Sequence, residues 1–136
     1  MRVKELVSDR FQVVAVMNGD ACPTESFLLD GEASTESARS GLLQMLERVA
    51  EEGLDGIPSK WVHEANKQEH IYEFIKGDLR LFFFKGTGRQ ITVCTTGVMK
   101  SGRKADKAAL TKAAKYRDDY IAASRKGTLQ VVSDET

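Results

Sequence analysis

Five cations follow or flank two apolar segments in the C-terminal half of the chain, and such a set is suited to binding a polyanion. They are Lys76, Arg80, Lys100, Arg103 and Lys104. Lys and Arg side chains hold phosphate oxygens by charge and hydrogen bonding, and the planar fork of Arg contacts two oxygens at once. If the apolar segments are strands, the pattern predicts a phosphate-binding site at one end of a sheet.

The formal charges of the chain are divided unevenly along its length. Residues 1–75 hold 7 Lys and Arg against 14 Asp and Glu, whereas residues 76–136 hold 13 against 6. This asymmetry predicts a basic surface built from the C-terminal half. The alternative is a solvated helix face that only pairs with the acidic half.

The composition is that of a single globular domain. The chain has 136 residues, of which 41% are hydrophobic and 29% charged, and no apolar run approaches the ~20 residues that span a bilayer. Charges interrupt residues 1–10 too early for a secretory signal, so we expect a cytoplasmic protein. Cys22 and Cys94 do not have the spacing of zinc ligands with His63 and His70.

The periodicity of apolar residues predicts the elements that position the cations. Residues 10–16 form the first predicted strand, and a helix is predicted from Thr35 to Glu52. Its apolar face contains Ala38, Leu42, Met45, Leu46 and Val49. "WVHEA", residues 61–65, is either a short strand or an extended linker.

Three β segments follow, "HIYEFIK" (70–76), "LRLFFFK" (79–85) and "RQITVCTTGV" (89–98), joined by turns of hairpin length. A second helix is predicted at about 105–124. The predicted fold is α+β, a small antiparallel sheet of about four strands with helices packed on one face. The domain is predicted to span residues 1–124, with a C-terminal tail at 125–136 that is either frayed or extended.

The stretch from residue 70 to residue 121 resembles the RelE/HigB toxins of bacterial type II toxin–antitoxin modules, in the branch described as phage-derived toxin-like proteins. The resemblance lies in "HIYEFIKGDLRLFFF", in "ITVCTTGVMKSGRK" and in the helix "KAALTKAAKYRDDY". The family pattern has a Tyr-Glu-Leu-Arg strand, a strand with Arg before aromatics, and a His-Gly-Phe-x-Lys-Lys run before an Ala-rich helix. The positions in step with it are Tyr72, Glu73, Arg80, Gly97 and Lys100.

Three positions depart from the family pattern. Ile75 replaces the strand Arg, Thr96 replaces the His before Gly97, and Ser101 replaces the second Lys. The departures leave phosphate binding in place and weaken any specific assignment of acid and base.

The resemblance implies an enzyme that cuts messenger RNA, in many relatives on the ribosome, and a cognate HigA-like helix-turn-helix antitoxin that blocks it. It implies a metal-independent endoribonuclease without a cofactor, in which a ribose 2′-OH attacks the adjacent phosphate. Such a reaction needs a proton acceptor, cations that hold charge on the phosphorane, and a proton for the leaving oxygen.

On this resemblance, Arg80 binds the phosphate, Lys76 and Lys100 are neighbouring cations or proton carriers, and Glu73 orients them or acts as base. The residues predicted to bind the flanking RNA are Arg103, Lys104, Lys85 and Phe82. If Arg80 faces the open side of the sheet, alternation places Phe82 beside it, where its ring can stack on a base. Each residue also has an ordinary explanation, as a surface cation, a cross-strand partner or a core ring, and both histidines are expected to be structural or exposed.

Two other functions stay open from the sequence. The first is a non-catalytic nucleic-acid-binding or regulatory protein that keeps the fold and the cations, in line with Ile75, Thr96 and Ser101. The second is a phage-encoded protein that binds a host protein through the Phe-rich sheet.

Overall fold

The computed structural model describes residues 1–100 and 106–134, in which seven strands form one sheet and three α-helices pack on it. The strands are β1 (Arg2–Ser8), β2 (Gln12–Val16), β3 (Val62–Asn66), β4 (Ile71–Lys76), β5 (Leu79–Phe84), β6 (Gln90–Met99) and β7 (Gln130–Val132). The helices are α1 (Pro23–Leu29), α2 (Glu36–Glu52) and α3 (Lys107–Lys126). The strand order across the sheet is β3-β4-β5-β6-β2-β1-β7.

The predicted fold class is wrong in the size of the sheet, in its pairing and in the placement of the helices. The sheet is mixed, because β2 runs parallel to β6 and β7 runs parallel to β1, while the remaining neighbours are antiparallel. The antiparallel meander β4-β5-β6 and the helix α2 are confirmed. β1 was missed because Arg2, Lys4 and Glu5 interrupt its apolar residues.

Two hydrophobic cores lie on opposite faces of the sheet, and successive residues of β5 alternate between them. On one face, here called the α2 face, Leu81 and Phe83 pack with Leu42 and Leu46 of α2. The other face, here called the α3 face, is covered by α3. Its core contains Phe82, Phe84, Val93, Ala113 and Tyr120. A run of three buried phenylalanines is therefore explained by a sheet covered on both sides rather than on one.

The C-terminal residues belong to this sheet. β7 pairs with β1 in the register Val3↔Val131. The Lys4 ammonium, on β1, lies 2.7 Å from a Glu25 oxygen on α1 and 3.0 Å from an Asp134 oxygen. The hydrogen bond to Glu25 raises the pKa of Lys4 most, and the hydrogen bond to Asp134 raises it further. The part of the predicted tail that lies at 130–134 is thus joined to the N-terminal strand.

Gly97 on β6 makes close packing of α1 possible, and its substitution tests this contact. A methyl group at residue 97 would overlap the Phe27 ring of α1. We expect Gly97→Ala to lower the free energy of unfolding by about 1–3 kcal/mol through overpacking, measured by urea denaturation. Phe27→Ala is itself destabilising, because Phe27 packs against the core, but in that background the added cost of Gly97→Ala should be much smaller. A Gly97→Ala protein as stable as wild type would show that the contact is not tight.

Candidate active site

Three polar side chains with complementary chemistry meet on adjacent strands of the α3 face. His63 on β3 is the cross-strand partner of Glu73 on β4, and Glu73 is the partner of Phe82 on β5. Arg80 precedes Phe82 by two residues and so shares its face. The Glu73 Oε1 atom lies 3.5 Å from Nδ1 of His63 and 4.0 Å from Nε of Arg80. We call this set the His63–Glu73–Arg80 cluster.

Exposure to solvent changes sharply across the cluster. The His63 side chain is 68% exposed, whereas those of Glu73 and Arg80 are 15% and 13% exposed. A carboxylate and a guanidinium in a partly desolvated position interact more strongly than on an open surface. With Nδ1 beside Glu73, the imidazole is placed to present its other nitrogen, Nε2, to a ligand in solvent.

Backbone carbonyl oxygens hold the Arg80 guanidinium, and its buried Nε donor stays unpaired among the described residues. Its Nη1 atom donates to the carbonyl oxygens of Gly77 (2.7 Å) and Leu79 (2.9 Å). Its Nε atom is buried and has no hydrogen-bond partner among the described residues. A buried donor without an acceptor costs free energy, because it has lost its hydrogen bonds to water and has formed none in the protein. A shift of Glu73 by about an ångström, or an incoming oxyanion with side-chain adjustment, would satisfy it.

The backbone of Lys100 lies at the β4–β5 turn to which Arg80 is bonded. Its backbone N–H donates to the carbonyl oxygen of Asp78 at 2.7 Å, and Arg80 is bonded to Gly77, the neighbouring residue of the β4–β5 turn. Lys100 is exposed. The structure therefore brings a second cation to the end of the sheet where Arg80 is anchored.

Lys76 lies on the opposite face, so its predicted convergence with Arg80 is wrong. Lys76 pairs with Leu79, whose side chain is part of the core on the α2 face. Its aliphatic chain covers Gly41 of α2, where an added Cβ would meet Lys76 Cε at 2.6 Å. The strict alternation of a strand separates the two cations, although they are four residues apart and joined by a tight turn.

The predicted RNA-binding residues are scattered or buried. Phe82 is 2% exposed, so the expectation of a ring open to a nucleobase is wrong, because α3 covers that face. Lys85 lies on the other side of the molecule, with its Nζ atom 5.0 Å from the centre of the Tyr72 ring. Arg103 and Lys104 fall outside the described residues.

His63 is the functional candidate that the sequence did not single out, since both histidines were expected to be structural or exposed without a chemical role, and both are exposed. The signal lay in the hairpin between β3 and β4. Once "WVHEA" is assigned to a strand paired with "HIYEFIK", His63 falls opposite Glu73. The turn at residues 67–70, with His70 at a positive φ of 57°, is not of a kind that fixes this register from sequence.

Comparison with known proteins does not identify a family: no protein-family model matches the chain, and no curated protein matches it. The resemblance to RelE/HigB toxins therefore stays a prediction that rests on the quoted motifs. Among the helices of residues 1–100 and 106–134, none combines the length and apolar character needed to cross a bilayer.

Proposed function

We propose that this chain is a metal-independent endoribonuclease that cuts messenger RNA in the cytoplasm, as the toxin of a type II toxin–antitoxin pair. The observation that supports it most is the His63–Glu73–Arg80 cluster, in which an imidazole, a carboxylate and a guanidinium meet on three adjacent strands; we propose that they act as proton acceptor, orienting group and phosphate-binding cation. The motifs shared with RelE/HigB toxins give the substrate class. A HigA-like antitoxin and the ribosome are the proposed partners.

In the proposed reaction, His63 Nε2 accepts the proton of a ribose 2′-OH while Glu73 holds the imidazole through Nδ1. The 2′-oxygen attacks the adjacent phosphorus, and the bond from phosphorus to the 5′-oxygen of the next nucleotide breaks. The products are a 2′,3′-cyclic phosphate and a 5′-hydroxyl. Arg80 stabilises the charge that develops on the non-bridging oxygens, and Lys100 is the proposed donor for the leaving oxygen. Lys76, on the other face, has no part.

A non-catalytic RNA-binding protein is the second candidate, and the anchoring of Arg80 favours it. A guanidinium that is 13% exposed and bonded to two carbonyl oxygens has an adequate structural role in fixing the β4–β5 turn. This candidate predicts salt-sensitive binding to RNA without new RNA ends.

Induced expression in bacteria separates the two candidates. The nuclease should arrest growth and shorten messages, and co-expression of a helix-turn-helix protein encoded next to it should restore growth. Normal growth with abundant folded protein and intact messages, in a strain that lacks such a gene, would contradict the proposal.

A further inference from the structure

A second basic feature lies on the α3 face, formed by residues that the cluster does not use. A groove of about 680 Å³ runs between the first three turns of α3, the turn that follows β2 and the middle of β6. Thr95 and Thr96 of β6, Asn18 and Tyr116 contribute to its lining. We call it the α3 groove.

Three lysines line the α3 groove and give it a net positive charge. Lys107, Lys112 and Lys115 are all exposed and all contribute to the lining. The one acid among the described lining residues is Asp106, and it caps the helix by accepting a hydrogen bond from the Ala109 N–H at 3.0 Å. The amides of the first turn are therefore partly occupied, and an anion in the groove would be bound by the lysine ammonium groups.

The groove and the His63–Glu73–Arg80 cluster lie on the same face of the sheet, at neighbouring positions along the strands. His63 pairs with Glu73, Glu73 pairs with Phe82, and the Thr95 hydroxyl donates to the Phe82 carbonyl oxygen at 3.3 Å. A line through these residues crosses the four strands β3, β4, β5 and β6. Three inter-strand spacings of about 4.8 Å therefore put roughly 15 Å between His63 and Thr95. Because α3 covers Phe82 in the middle of this line, an RNA strand that reaches both sites must pass over or around α3, so its path is longer than this direct distance.

We infer that the α3 groove binds the single-stranded RNA that flanks the cleaved phosphate. This inference rests on the proposed function for its substrate and adds a binding site to it. The three ammonium groups supply positive charge for the phosphates of a flexible backbone, and the Tyr116 ring, also in the lining, offers a base a surface to stack on. The apolar part of its lining, from Pro23, Ala108, Ala109 and the Tyr116 ring, suits a single strand with accessible bases better than a duplex, whose bases are stacked inside.

Binding of a fluorescent 12-nucleotide single-stranded RNA tests the inference in a His63→Asn background, where cleavage is expected to be at least about 100-fold slower. The combined change Lys107→Gln, Lys112→Gln and Lys115→Gln should weaken binding at least tenfold at moderate salt. It should also lower the slope of log Kd against log salt concentration by about 2, as expected for three lost phosphate contacts. A matched control is Lys67→Gln, Arg125→Gln and Lys126→Gln, which removes the same charge at exposed positions and should change Kd less than threefold.

Equal binding by the two triple variants would overturn the inference. The inference would also fail if a poly-glutamate peptide bound through Lys107, Lys112 and Lys115 while RNA did not bind. The groove would then be a site for an acidic protein segment. Failure of the proposed function gives a different result. If the wild-type chain does not cleave RNA but its binding depends on the three lysines, the groove is confirmed and the chain is a binding protein.

Discussion

Replacing His63 with Asn should lower the rate of RNA cleavage by about 10²–10⁴-fold, the usual contribution of a positioned general base. Asn can keep a hydrogen bond to Glu73 but cannot accept the 2′-OH proton at neutral pH. Because the His63 side chain is 68% exposed, its loss should change the free energy of unfolding by no more than about 0.5 kcal/mol. The measurement is the single-turnover cleavage rate together with a thermal melt.

His70 provides the matched control, because the chain contains two histidines. It is exposed and has a positive φ of 57°, a conformation that Asn tolerates well. His70→Asn should cleave at the wild-type rate. Equal rates for His63→Asn and wild type would remove His63 from the mechanism, and equal losses in both variants would point to a non-specific effect of removing histidine.

Replacing Arg80 with Lys should lower the cleavage rate by about 10²–10³-fold, the typical cost of removing one preorganised donor that stabilises transition-state charge. Lys keeps the positive charge but has no planar fork, so it cannot bind the Gly77 and Leu79 carbonyl oxygens and a phosphate together. The Michaelis constant should change less than the turnover number, because the contact is strongest to the phosphorane.

The stability of the Arg80 variant must be measured beside its activity. Loss of the two carbonyl contacts should cost about 1–3 kcal/mol, and Arg80→Ala would in addition leave Glu73 partly buried without its cation. Arg89→Lys is a close control. The Arg89 guanidinium also donates to two backbone carbonyl oxygens, those of Asp9 and Arg10, at the other end of β6. If Arg80→Lys and Arg89→Lys have the same stability and the same activity, the role of Arg80 is structural alone.

The local elements of the fold could be predicted from sequence, whereas the pairings between distant strands could not. The meander β4-β5-β6 has hairpin-length turns between apolar runs, and α2 has a clear apolar face. The parallel pairs β2–β6 and β1–β7 join segments far apart in sequence, and no local signal specifies them. β7 has three residues, and it was not distinguishable from a frayed end.

The candidate site was predicted in part, for a related reason. Arg80 and Glu73 were chosen by motif, and they do lie together. Lys76 was grouped with Arg80 on closeness in sequence, but the facing directions along the two strands place it over α2. To predict the contact between His63 and Glu73, one would have to know the register of β3 against β4, and that register depends on an irregular turn. To predict that Phe82 is buried, one would have to know that α3 covers the face of the sheet on which Phe82 and Arg80 lie.

The terminal groups of RNA fragments made by the wild-type chain and by His63→Asn test the central claim most directly. The reaction would be run in a bacterial translation extract on a message with one mapped cleavage position. A nuclease that uses the His63–Glu73–Arg80 cluster should leave 2′,3′-cyclic phosphate and 5′-hydroxyl ends. Cleavage should stop when that position carries a 2′-O-methyl group, and the fragments should fall at least 100-fold with His63→Asn. Fragments with 5′-phosphate ends, or none above the level of an extract without the protein, would contradict the account.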